Sequence, residues 1–202
     1  MAKKLDKRNR LIDAAKKLFY QQGFNITTLA NMALEAEVPL GNVYYYFKTK
    51  NDIGLAVLDS ITHEQKILLQ DLDKELSPKT RLLYFLEHAK QEAKLIALQG
   101  CHIGTLCQEL GKEGGILGNL SAKVMMDFLF WAEAQFYALG YIKEEASDLS
   151  LDLMSKLQGI FLLGYAFKDP NLITRQIMLL QDFLKERISE KKPAPEAILE
   201  VV

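Results

Sequence analysis

The chain has 202 residues, 49% hydrophobic and 25% charged, with a net charge of −1. That is long enough for one or two domains with full cores. No run of 18 apolar residues occurs and no apolar stretch follows the N-terminal charges, so neither a membrane span nor a signal peptide is expected and the chain is placed in the cytoplasm. Two cysteines, Cys101 and Cys107, argue against a disulfide framework. Three scattered histidines, His63, His88 and His102, offer no metal-ligand spacing. No metal or cofactor is expected.

The charge is unevenly spread. Residues 1–50 hold nine Lys/Arg against four Asp/Glu, or +5, and the remainder holds 16 against 22, or −6. A basic N-terminal quarter on an acidic body suits a nucleic-acid reader joined to a second unit. A solvated helix face would give the same charge, so the pattern of the elements has to decide.

Leu11, Ala14, Ala15, Leu18 and Phe19 give an amphipathic helix over about 4–22, closed by Gly23. Thr27 is suited to cap a second helix, with Leu29, Met32, Ala33 and Ala36 on its apolar face. Pro39 suits the opening of a third. There Val43 and Phe47, four apart, form the buried side and leave Asn42, Tyr44, Tyr45 and Tyr46 to point elsewhere. Two short helices joined by a few residues are the plan of a helix-turn-helix DNA reader.

Beyond it, Asn51 or Asp52 can cap a long helix to about residue 74. Ser77-Pro78 starts a fifth, with Leu82, Phe85, Leu86, Ala89, Ala93 and Ile96 on its face and Gly100 at its end. Further helices are expected over about 103–111, 116–139, 147–167 and 170–189. The proline-bearing tail after them reads as loose. Nine helices and no strand pattern make an all-α chain. It divides into a helix-turn-helix domain (1–49), a larger helical domain (50–191) and a tail (192–202).

The last two helices are apolar beyond one core-facing stripe. Leu149, Leu153, Leu157, Ile160, Phe161 and Gly164 lie along the eighth; Ile173, Ile177, Leu180 and Leu184 follow one face of the ninth. Gly159 and Gly164 inside a helix cost about 1 kcal/mol each relative to Ala, which close approach of a partner helix would explain. These faces are expected to form a four-helix bundle in a homodimer.

Gly23-Phe24, Thr27, Met32-Ala33, Ala36-Glu37-Val38, Gly41, Tyr44-x-x-Phe47 and Lys50 together resemble the tetracycline-repressor (TetR) family of bacterial transcription regulators. The match covers the first quarter of the chain. It implies a homodimer bound to double-stranded DNA at an inverted-repeat operator, with a small-molecule effector controlling it. Tyr44 inherits a DNA-backbone contact. Tyr45 and Asn42 face the groove, and Lys50, Thr27 and Thr28 meet phosphates at helix starts. Leu40, Gly41, Tyr46 and Lys48 complete the expected contact set, with Tyr46 also able to pack inward. Two positions depart from the pattern. Glu37 stands where the turn usually has Gly, at about 1–2 kcal/mol if left-handed, and Leu40 where a basic or small polar residue is common.

The segment 100–110 is similar to the effector domain of one subgroup of that family. By the same resemblance Phe85, His88, Cys101, His102, Phe128, Trp131 and Tyr137 surround an effector pocket, although the same residues could simply build a core. An enzyme is not expected. Tyr44-x-x-x-Lys48 and Tyr46-x-x-x-Lys50 have dehydrogenase spacing but no glycine-rich dinucleotide loop accompanies them. An alternative on the same fold is a thiol sensor using Cys101. Cys101 and Cys107, six apart on one expected helix, would sit on different faces.

Overall fold

The computed structural model describes residues 2–189. Among these the chain is all-α: α1 (Ala2–Gln22), α2 (Leu29–Glu35), α3 (Leu40–Tyr46), α4 (Lys50–Leu72), α5 (Pro78–Gln91), α6 (Ala93–Gln99), α7 (His102–Glu113), α8 (Gly115–Ala138), α9 (Lys143–Phe167) and α10 (Pro170–Ser189). All nine expected helices are present. The expected fifth is interrupted at Glu92, which divides it into α5 and α6. Glu92 (φ −81°, ψ 0°) lies outside the helical region, but Ile96 N still bonds its carbonyl, so the interruption is confined to one residue. The tail expected over 192–202 lies outside the described residues.

Local chemistry sets the boundaries. Thr28, not Thr27, caps α2: its Oγ1 accepts from Asn31 N at 3.1 Å, and Asn31 Oδ1 accepts from Thr28 N at 3.0 Å. This is a reciprocal capping box. Thr49 caps α4 with Asp52 as its reciprocal partner, two residues before the earlier of the two expected caps. Cys101 is the cap of α7 and not part of its body, so the two cysteines do not share a helix as expected.

Glu37 does adopt the left-handed conformation, with φ 51°. Arg10 of α1 offsets the strain. Its guanidinium donates to the Ala36 carbonyl and lies 3.4 Å from Glu37 Oε2, tying the α2–α3 turn to α1.

Two apolar clusters fill the molecule. The first joins Leu11, Ala15 and Phe19 of α1 to Phe24, Met32, Val43, Phe47 and the first half of α4, and continues into Leu106 and Leu110 of α7 and Leu117 and Val124 of α8. The second is built from α5, α6, the second half of α8, α9 and α10. The first core thus runs well past residue 49.

The residues expected at the dimer interface are instead intrachain core. Leu153, Leu157, Ile160, Phe161, Gly164, Leu180 and Leu184 are buried, and Ile173 and Ile177 are 0% exposed. Leu149 packs half-buried against them. A Cβ on Gly164 would collide with the Ile173 side chain, so that glycine is explained within one chain. Both helices are apolar on two sides, and the chosen stripe is the inward one. Ile177→Ala should therefore lower stability by about 2–5 kcal/mol, read as a fall in the urea or thermal midpoint of the whole chain. An unchanged midpoint with loss of self-association alone would contradict this placement.

Candidate nucleic-acid interface and cavity

Val43 and Phe47 are buried and fix the orientation of α3. Its opposite side presents Leu40, Gly41, Tyr44 and Tyr45 to solvent, with Asn42 and Tyr46 half-buried. Tyr46 packs against the first core, and its ring stands edge-on to Tyr45 at 5.0 Å. Lys48 is exposed and its ammonium donates to the Tyr44 carbonyl at 2.8 Å. Thr28 is exposed at the start of α2.

Two expected phosphate contacts turn inward. Thr27 is fully buried; its hydroxyl donates to the Gly23 carbonyl at 2.7 Å and accepts from Gln22 Nε2 at 3.1 Å. Lys50 donates to the carbonyls of Phe24 and Asn25, both at 3.1 Å, with its ammonium 4.4 Å from the Phe24 ring centroid. Two of the three ammonium donors are thereby committed. Arg8, not singled out from the sequence, is exposed with its guanidinium 5.3 Å from the Phe47 ring centroid, at the edge of the same surface. Its only sequence signal is membership of the N-terminal basic run.

The turn that Lys50 holds is gripped from the other side by α7. Glu109 Oε2 accepts from Phe24 N at 2.6 Å and from Asn25 N at 3.3 Å. Gly23 has φ +88°, and a Cβ there would strike the Glu109 carboxylate. A residue without a side chain is needed both for the conformation and for the approach.

Two turns back along α7 lies a cavity of about 450 Å³, walled by α4 to α9 with Tyr20 contributed by α1. Phe85, His88, Cys101, His102 and Phe128 line it, as does Gln65, which the sequence reading passed over. Leu157 and Phe161, expected at a dimer interface, also line it. Trp131 and Tyr137 do not. The Trp131 ring packs behind Phe85 at 5.5 Å and its Nε1 donates to Asp73 at 3.0 Å; Tyr137 is 64% exposed on α8.

The His102 ring lies 4.3 Å from that of Tyr20, so α1 touches α7 at the cavity wall. Burial, with the nearby Lys16 charge, pushes the His102 pKa down to about 4, against a smaller opposing pull from Glu64. Burial likewise raises the Tyr20 hydroxyl above its usual range. Lys16 and Glu64 form an ion pair beside these rings. Cys101 Sγ accepts from Gly104 N at 3.4 Å and from Gln158 Nε2 at 3.7 Å. Burial still raises its pKa and that of Cys107, whose Sγ donates to the Ser121 carbonyl at 3.1 Å. A raised pKa lowers the thiolate fraction and with it the reactivity a sensor needs.

Among the described residues no helix is long and apolar enough to cross a membrane. Residues 11–57 match the model of a family described as bacterial regulatory proteins, tetR family. Over 188 residues the chain is 26% identical to an uncharacterized HTH-type transcriptional regulator, YxaF, of Bacillus subtilis, covering 89% of this chain and 97% of that one. Over 64 residues it is 42% identical to the HTH-type transcriptional regulator HbdR of Aromatoleum, covering 31% of this chain and 28% of that one. A TetR transcriptional regulator from Chloroflexus aurantiacus has the same fold, with a TM-score of 0.81 at 18% identity over 92% of this chain and 98% of that one. These relatives are named as transcriptional regulators, not enzymes.

The buried, neutral His102 predicts a pH dependence. Its folded pKa of about 4 lies below the ordinary 6.5, so the unfolded chain binds the extra proton first. Its contribution is complete above pH 6.5, and is lost as pH falls toward 4, on the order of 2–3 kcal/mol. His102→Phe should flatten the stability–pH curve in that window. An unchanged slope in the variant would contradict the neutral buried state.

Proposed function

Since the chain belongs to the tetR family of bacterial regulatory proteins and carries that family's DNA-binding helix-turn-helix, we propose that it is a ligand-responsive repressor. In this reading a homodimer binds an inverted-repeat operator in the cytoplasm and releases it when a small molecule fills the cavity. Residues 1–49 serve as the reader and 50–191 as the effector and dimer domain. The supporting observation is α7, which carries His102 at the cavity wall and Glu109 at the reader's turn. A ligand shifts the balance only by binding one of two states better than the other. A ligand that moves α7 does so by changing how Glu109 holds Phe24 and Asn25.

On the DNA side, Tyr44, Thr28, Lys48 and Arg8 supply exposed donors for phosphates, while Tyr45 and Asn42 face base edges. Gly41 has open space where a Cβ would stand, so nothing among the described residues explains it. Close approach to a phosphate backbone does. Leu40 gives an apolar contact.

The dimer uses the outer sides of α9 and α10. Leu151, Ser155, Gly159, Leu162 and Ala166 are one helix face, four of them exposed and Gly159 partly so. Gly159, unlike Gly164, has no neighbour among the described residues within 4 Å of a Cβ. On α10, Met178, Leu179 and Phe183 are exposed, and Lys156 of α9 reaches to 4.1 Å from the Phe183 ring centroid, joining the two outer faces. Exposed apolar residues grouped this way mark an association surface.

The salt dependence of operator binding tests the DNA contacts. Lys48→Ala should weaken all sequences alike and reduce the log–log slope by about 0.9, whereas Tyr45→Ala should change sequence preference. An unchanged slope for Lys48→Ala would remove it from the contact set. For the dimer, Leu162→Glu with Leu179→Glu should give folded monomers by sedimentation and abolish operator binding. A dimer that survives both changes would place the interface elsewhere.

A further inference from the structure

The cavity is apolar over most of its wall, which makes its polar groups informative. Gln65 on α4 is 6% exposed and lines it. Its Nε2 donates to the Val124 carbonyl at 2.8 Å. That bond fixes the amide orientation, because only the nitrogen can donate to a carbonyl. The other amide atom, Oε1, is buried and receives no hydrogen bond from any of the described residues. A buried acceptor left so is costly, and a bound molecule that offers a donor removes the penalty.

The charges around the cavity point the same way. Among the described residues Glu64, Asp71 and Glu92 are in the lining, and no lysine or arginine is. Glu64 is paired with Lys16 and Asp71 with Lys74, which leaves Glu92 as the lining carboxylate without an ion-pair partner among the described residues. His102, held well below its ordinary pKa by burial, brings no positive charge near neutral pH. The cation beside the wall, Lys16, is already paired with Glu64, so among the described residues an entering anion finds no free cation to replace its water, and burying an unpaired charge is costly.

We propose that the effector is a lipophilic molecule with no negative charge that donates an N–H or O–H hydrogen bond to Gln65 Oε1. This rests on the cavity being the effector site and goes further by naming what it selects. Gln65 acts as the specificity residue: it leaves apolar bulk to the surrounding wall and discriminates by the presence of one donor.

Three related dyes test this with the full-length wild-type dimer. Phenyl-α-naphthylamine is neutral and has one N–H; its N-methyl derivative lacks the donor; anilinonaphthalene sulfonate keeps the N–H but adds a negative charge. Fluorescence titration should show the amine binding at least about tenfold more tightly than the N-methyl derivative, the value of one hydrogen bond to a buried acceptor, and the sulfonate weakest. Gln65→Leu, which removes the unpaired acceptor together with the bond to the Val124 carbonyl, should bring the amine and its N-methyl derivative to near parity while the chain still folds and still binds both. Ala89→Trp, which fills the cavity, should abolish binding of all three. Equal binding of amine and N-methyl derivative by the wild type, or tight binding of the sulfonate, overturns the donor inference while the cavity reading stands. No binding by any dye, or binding that survives Ala89→Trp, counts against the cavity reading and the inference together.

Discussion

The Glu109 carboxylate accepts hydrogen bonds from the Phe24 and Asn25 amides, at 2.6 and 3.3 Å, and so joins the helix-turn-helix to the part of the molecule that encloses a cavity. Lys50 closes the same turn from α4 by donating to the carbonyls of Phe24 and Asn25. One short turn therefore has its amides held by an anion from α7 and its carbonyls by a cation from α4. Gly23 makes this possible, because any Cβ at φ +88° would occupy the space of the carboxylate. Charge-assisted hydrogen bonds are among the stronger ones available to a protein, and here they link segments 84 and 85 residues apart in sequence.

A second contact reinforces the first at the other end of α7. Tyr20 of α1 faces His102 across 4.3 Å, where both rings form part of the cavity wall. α7 thus meets α1 at a half-buried ring pair and meets the turn that follows α1 through Glu109. In the proposed mechanism a helix held at two points along its length would carry a displacement of its cavity end to the helix-turn-helix, because packed interiors are stiff on this scale. The first core, which runs from α1 through α4 into α7 and α8, gives the same continuity to the apolar packing.

Much of this was legible in the sequence. Helical periodicity gave the nine expected helices, because each buries one stripe and few interior residues break the pattern, but not the division of the fifth into α5 and α6 at Glu92. The left-handed turn residue Glu37 was visible from the position it occupies. Pairings that depend on distant residues were not visible. Thr27 and Thr28 are chemically alike, and only the depth at which Thr27 sits against Gln22 and Gly23 decides that Thr28 is the cap. Lys50 stands at a helix start that suits a phosphate, but the carbonyls of Phe24 and Asn25 reach it first. On α9 and α10 the spacing found an apolar face without saying whether the same chain or a second copy covers it, and Ile173 and Ile177 proved to be inside. Tyr137 failed for the same reason: its helix was identified correctly, and its side was not. Gln65 gave no sequence signal, since its importance lies in an acceptor that the surrounding fold leaves unpaired.

The central claim is that filling the cavity changes the grip of Glu109 on the reader's turn. Amide hydrogen exchange, resolved at Phe24 and Asn25 and compared between the free protein and the protein saturated with phenyl-α-naphthylamine, tests it most directly. The account predicts exchange at these two amides at least severalfold faster with the cavity filled, while the buried amides of α9 are unchanged or slower. Identical exchange at Phe24 and Asn25 with the cavity demonstrably occupied would contradict it.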